Sequence, residues 1–200
     1  MKLQKAAMFG LDARIALAIF GALSVISGAA LYSAIQESKL VATYTGFQEL
    51  IKAQEALYLD NGTLQTSTDK TMFVPADLLA DNNLAGWAGP YIDGTAVTTG
   101  PDLMLVTPSK PADFTLRLRN VKTANWEPAD LWAAIGCATN SESCTTSIQL
   151  TKNAATDPLG ALLDERFDDG VNNTGNIRYG QLGASSVYYI YIFGFTYNAR

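Results

Sequence analysis

The stretch IALAIFGALSVISGAALYSAI, Ile15 to Ile35, decides the reading of this chain. It carries no charged residue. As a helix it rises about 32 Å, enough to cross a bilayer core of about 30 Å. Lys2, Lys5 and Arg14 precede it, and the first acids after it are Glu37 and Glu49. The basic side is therefore expected to stay cytoplasmic, with everything after about Glu37 on the other side of the membrane.

Downstream the pattern changes but does not stop. Leu40, Tyr44, Phe47, Leu50, Ile51, Gln54, Leu57 and Tyr58 recur at spacings of three and four, which puts one apolar face on a helix running to about Leu59. Asp60-Asn61-Gly62 supplies a stop, because glycine accepts the left-handed conformation of a helix end. The expectation is one helix of nearly fifty residues, apolar all round in its first half and on one face in its second. A cleaved secretory signal is the alternative, with Gly28-Ala29-Ala30 as its small-residue cut site. Against it, Asp12 and Arg14 interrupt the basic start, and the helical pattern continues past that cut. Gly21, Ser24, Ser27 and Gly28 put small side chains on adjacent turns, a surface on which helices approach closely.

Two hundred residues less the helical stalk leave roughly 140 for a head, one domain on ordinary size grounds. The 200 residues hold 14 basic and 19 acidic side chains, net −5, and loss of Lys2 and Lys5 would make that −7. No basic stripe is visible, so nucleic acid is not expected as a partner. Histidine is absent, which removes serine–histidine and cysteine–histidine catalysis. The two cysteines, Cys137 and Cys144, flank a polar hexapeptide; outside the cytoplasm this reads as a local disulfide, the alternative being two free thiols. Zinc would need two more soft ligands than the chain offers.

From Thr63 the punctuation is dense. Pro75 to Ala80 reads as a short helix with proline in its first turn, and Trp87 to Asp93 as a turn held by its two aromatics. Leu103–Thr107, Phe114–Arg119, Ser147–Thr151 and Val187–Tyr197 carry strand patterns. Pro128 to Ile135 reads as a helix leading into the cysteine loop. Asp157-Pro158 opens another, with Leu159, Leu162, Leu163, Arg166 and Phe167 at helical spacing. A long helix burying its second half on an antiparallel sheet gives an α+β roll.

Asp164, Glu165, Asp168, Asp169, Asn172 and Asn173 crowd into ten residues. Oxygen-rich loops of this kind suit calcium, with Asp164, Asp168, Asp169 and Asn172 as candidate ligands. The spacing is not that of an EF-hand, and a helix end followed by a solvated turn is the simpler alternative. A paired-carboxylate glycosidase finds no pocket-forming pattern to support it, and no enzymatic activity is expected.

Taken together, the motifs resemble those of type IV pilins and type II secretion pseudopilins. Met1 to Gly10 resembles a short basic prepilin leader, which implies cleavage between Gly10 and Leu11. Gln48 to Gly62 is similar to the family's helix end, Gly86-Trp87-Ala88-Gly89-Pro90-Tyr91-Ile92 resembles its Trp-x-Gly-Pro-Tyr turn, and Asp164–Gly170 with Thr174–Arg178 resembles a segment near the family's C-terminus. Some major pseudopilins hold calcium there. The resemblance implies a leader (1–10), a membrane and assembly helix (11–38) and a globular pilin-like roll (39–200). It implies a subunit inserted in the bacterial inner membrane, processed by a prepilin peptidase, and drawn by an assembly platform into a homo-oligomeric helical filament, periplasmic or extracellular. Two positions depart from the family. Ile15 stands where the family carries the glutamate that pairs with a neighbour's N-terminal amine, so Asp12 is expected to take over part of that role, and Arg14 to stay near the cytoplasmic interface. The family's helix proline is also missing. The competing expectation is an extracytoplasmic binding protein anchored permanently in the membrane.

Overall fold

A computed structural model describes residues 4–66, 71–99, 102–107, 110–123, 137, 143–154, 156–181 and 187–198. Helix α1 spans Gln4–Asn61. It stops where its sequence says it should: Gly62 adopts φ +69° and its N–H donates to the Tyr58 carbonyl at 2.7 Å, while Asn61 Nδ2 donates to the Leu57 carbonyl at 3.1 Å. Those bonds satisfy carbonyls that a helix end otherwise leaves open.

The chain divides into two compact units, Met1–Val41 and Ala42–Arg200. Within the first, the side chains described from Asp12 to Lys39 are exposed, with Leu17, Phe20 and Val25 all at least 70% accessible, and Leu40 is half-buried. The most apolar window of this helix reaches a mean hydropathy of 2.1 with none of it buried, so the helix is long and apolar enough to cross a membrane.

The second unit is an α+β arrangement. Its strands are β1 (Thr95–Thr99), β2 (Asp102–Val106), β3 (Thr115–Lys122), β4 (Ser143–Asn153), β5 (Ile177–Gln181) and β6 (Val187–Asn198), and its helices beyond α1 are α2 (Ala76–Leu79) and α3 (Pro158–Phe167). The strands form one sheet in the order β1-β2-β3-β4-β6-β5, antiparallel at every pairing. Period-two alternation sorts the two faces. Leu116 and Leu118 oppose Leu150 and Ile148, which in turn oppose Ile190 and Ile192, and all six are buried. At about 1.5–3 kcal/mol for each fully buried side chain of this size, that inner face is a main source of stability. Phe47, Leu50 and Leu57 of α1 are buried too, and Gln54 and Leu57 share a small internal space with Leu118 and Leu78. The apolar stripe expected on α1 is thus the stripe that it buries.

One register shift matters. Ser147 opposes Phe193, but Thr145 opposes Thr196, so β6 carries an extra residue there. A bulge of this kind reverses the facing of the residues beyond it. Tyr197 consequently lies on the inner face, buried, with Tyr58 of α1 at 5.4 Å between ring centres and its hydroxyl donating to Asn120 Oδ1 at 2.8 Å.

The expected turn at Trp87–Asp93 is an anchor. Its two rings meet edge to face at 5.9 Å. Trp87 Nε1 donates to the Asp77 carbonyl at 2.8 Å, and the Tyr91 hydroxyl donates to Asp60 Oδ2 at 2.6 Å. The turn therefore clamps the end of α1 to α2. Cys137 and Cys144 form a disulfide with a Cα–Cα distance of 5.8 Å, normal for such a bridge. Strands β1 and β5 were not expected from sequence, β4 is longer than expected, and the helix expected at Pro128–Ile135 lies outside the described residues.

Candidate functional site

Helix α3 builds the acidic turn. Asp157 caps it, with Oδ1 accepting from the Leu159 N–H at 2.9 Å and Pro158 in the first turn, as a cap followed by proline requires. Asp157 Oδ2 also accepts from Lys152 Nζ at 2.8 Å, fixing the helix start to β4. Asp164 lies one turn before the helix end and is fully buried. Asp168 closes the helix, its N–H donating to the Asp164 carbonyl at 2.9 Å.

From there the chain doubles back to meet the carboxylates. Asp168 Oδ2 accepts from the N–H groups of Asn176 and Ile177, the latter at 2.7 Å. Asp169 takes the Val171 N–H on Oδ1 and the Thr174 hydroxyl on Oδ2, at 2.9 and 2.6 Å. Asp164 Oδ1 accepts from the Gly170 N–H at 3.1 Å, while its Oδ2 is buried with no hydrogen-bond partner among the described residues. Gly175, at φ +66°, passes so close to Asp168 that a Cβ would strike the carboxylate, so no other residue fits this turn.

Oxygens from Asp164, Asp168 and Asp169 lie within 4.8 Å of one another. Burial raises the pKa of Asp164, and the neighbouring charges of Asp169 and Asp168 add to it against the Gly170 N–H. Asp169 is lowered, first by the Thr174 hydroxyl, then by the Val171 N–H, with Arg178 contributing. One carboxylate is therefore pressed toward its neutral form beside two others, which is the electrostatic situation that a hard divalent cation relieves. Of the four candidate ligands, the fold brings together three. Asn172 lies in the same turn, but its side chain is exposed and its carbonyl accepts from Tyr179 N–H at 3.0 Å. Thr174 and Gly175 were missed as parts of the turn's machinery, although a glycine shortly after an acid-rich run is a legible sign of a tight return.

At the other end of the chain, Gly10, Leu11, Asp12 and Arg14 all lie within α1. Asp12 and Arg14 are exposed and, two residues apart, point about 200° apart around the helix, so they do not pair with each other. Ile15 is half exposed.

No family model, curated protein or solved structure matches the chain. The layout of a long apolar N-terminal helix with an antiparallel sheet is pilin-like.

Proposed function

We propose that this chain is a structural subunit of a type IV pilus-like or type II secretion pseudopilus filament, inserted in the inner membrane and assembled through its N-terminal helix. The observation that carries this reading is α1. One helix from Gln4 to Asn61 is apolar and exposed over Ile15–Ile35, then amphipathic and buried on one face over Phe47–Leu57. An apolar helical surface of this length needs either lipid or other helices around it. Since lipid tails are as apolar as the side chains, close packing rather than bulk hydrophobicity must favour the polymer. In this reading the acidic turn holds calcium and steadies the globular unit.

Intact-mass measurement of the chain isolated from membranes and from sheared surface fractions tests the proposal. A mature chain beginning at Leu11 supports it. An intact Met1 favours the permanent anchor, which Ile15 in the glutamate position also favours, and a start near Leu31 means a secreted protein. Either of those two results would overturn the filament reading.

A further inference from the structure

The face of the sheet opposite the apolar core carries a different chemistry. A groove of about 580 Å³ lies over it, lined by Arg117 and Arg119 of β3, Gln149 and Thr151 of β4, and Tyr189 and Tyr191 of β6. That volume is in the range of small-molecule sites, about 300–1,000 Å³. The strand register puts these side chains in line: Arg117 opposes Gln149, which opposes Tyr191, and Thr151 opposes Tyr189. In a chain of net charge −5, two adjacent arginines on one face are a local reversal of sign.

The floor is ordered. Arg117 Nη1 donates to Thr151 Oγ1 at 2.8 Å and Gln149 Nε2 to the Tyr191 hydroxyl at 2.6 Å. The rings of Tyr189 and Tyr191 lie 6.3 Å apart and nearly parallel, at 9°. Arg119 and Tyr191 are buried, and Tyr189 is half-buried. Burial pushes the Tyr191 hydroxyl up to about 12, and the charges of Arg119 and Arg117 pull against that rise. At the rim, Lys152 bridges to Asp157 at 2.8 Å and Asp113 at 3.5 Å.

We propose that this groove binds an anionic carbohydrate of the uronic-acid class, its carboxylate on the arginines and its ring face against Tyr189. A planar guanidinium matches a carboxylate with two parallel hydrogen bonds, and the attraction strengthens where water is partly excluded. Threonine hydroxyls and the Gln149 amide suit a polyhydroxylated ligand, and the half-buried ring supplies an apolar surface beside them. A peptide is the poorer fit. Extended peptides gain affinity by adding to a free sheet edge, whereas β3, β4 and β6 are all interior strands.

The test uses the full-length chain in detergent micelles, so it needs no assembly and its outcome is independent of the filament reading. Trigalacturonate is titrated calorimetrically beside maltotriose, hexaglutamate and inorganic phosphate. Trigalacturonate should bind at least tenfold tighter than each of the other three, and more weakly as salt rises. Arg117→Gln should weaken binding tenfold or more with an unchanged circular dichroism spectrum. Arg117→Lys, which keeps the charge and loses the fork, should fall between the two, and Tyr189→Ala should weaken trigalacturonate at unaltered charge. No heat at millimolar trigalacturonate, equal affinity for maltotriose, equal or tighter binding of hexaglutamate or phosphate, or variants that bind like the parent would overturn the proposal.

Discussion

Calcium should stabilise the globular unit through the acidic turn. A ligand that binds only the folded chain adds about 2.7 kcal/mol at one hundred times its dissociation constant. The unit Ala42–Arg200 holds about 160 residues; at roughly 2.1 cal/mol/K per residue its unfolding entropy is about 0.33 kcal/mol/K, so that increment raises Tm by about 8 °C. Binding requires an ionised Asp164, whose pKa burial has raised, so the calcium shift should grow as pH rises through the folded pKa of that group. Scanning calorimetry of the chain with calcium, magnesium or chelator, at pH 5 and pH 7, checks the size, the selectivity and the sign. Asp164→Asn removes the buried charge and should abolish the shift. A Tm indifferent to millimolar calcium, or a shift that survives in Asp164→Asn, would refute the reasoning.

Reducing Cys137–Cys144, whose seven-residue separation closes a small loop, should cost about 2.5 kcal/mol on the chain-entropy relation; a lowered Tm with the far-ultraviolet spectrum retained is the expected signature. In Gly160→Ala the new Cβ would lie 2.7 Å from Tyr179 and 2.9 Å from the Tyr188 hydroxyl. Overpacking of about 1–3 kcal/mol should outweigh the gain in helix propensity of at most about 1 kcal/mol, and denaturant melts read the net loss. Asp77 is buried with Oδ2 lacking a hydrogen-bond partner among the described residues, and its pKa is raised by burial against the Asn82 amide. The unfolded chain therefore loses this proton first as pH rises from the ordinary carboxylate value, and folded stability falls until the folded pKa is passed. Asp77→Asn should flatten that slope, measurable as Tm against pH. Asp12→Ala should leave membrane insertion intact and lower filament incorporation, and an unchanged filament yield would mean that the N-terminal amine finds another partner.

The parts of the fold that could be read in advance are those where one residue pattern has one physical outlet. Ile15–Ile35 has no charged residue and only scattered serines among its apolar side chains, so it reads as a membrane-length helix. The three- and four-residue spacing from Leu40 to Tyr58 points to one buried stripe, and Asp60-Asn61-Gly62 ends it. Strands β3 and β6 alternate or run apolar, and the cap at Asp157-Pro158 marks the start of α3. Strand β1 was not legible because Thr95-Ala96-Val97-Thr98-Thr99 is uniformly small or polar and takes its conformation from pairing with β2. Strand β5 was hidden because only Ile177 in it is buried. In the site, proximity in sequence gave the three aspartates, but the depth of Asp164 and the role of Thr174 depend on how the chain returns after Gly170. The outer groove was invisible in advance, since the residues of its floor come from three strands whose register no local pattern states.

The position of β6 between β4 and β5 has a consequence for the order in which the molecule can form. Strand β5 pairs with β6 alone, although it comes first in the chain. A chain delivered from its N-terminus can therefore pair β1 to β4 in order, while β5 waits for Val187–Asn198. If delivery across the membrane is vectorial, the β5 edge of the sheet is the last part to become whole. The finished β5 edge would then report that the entire sheet has arrived.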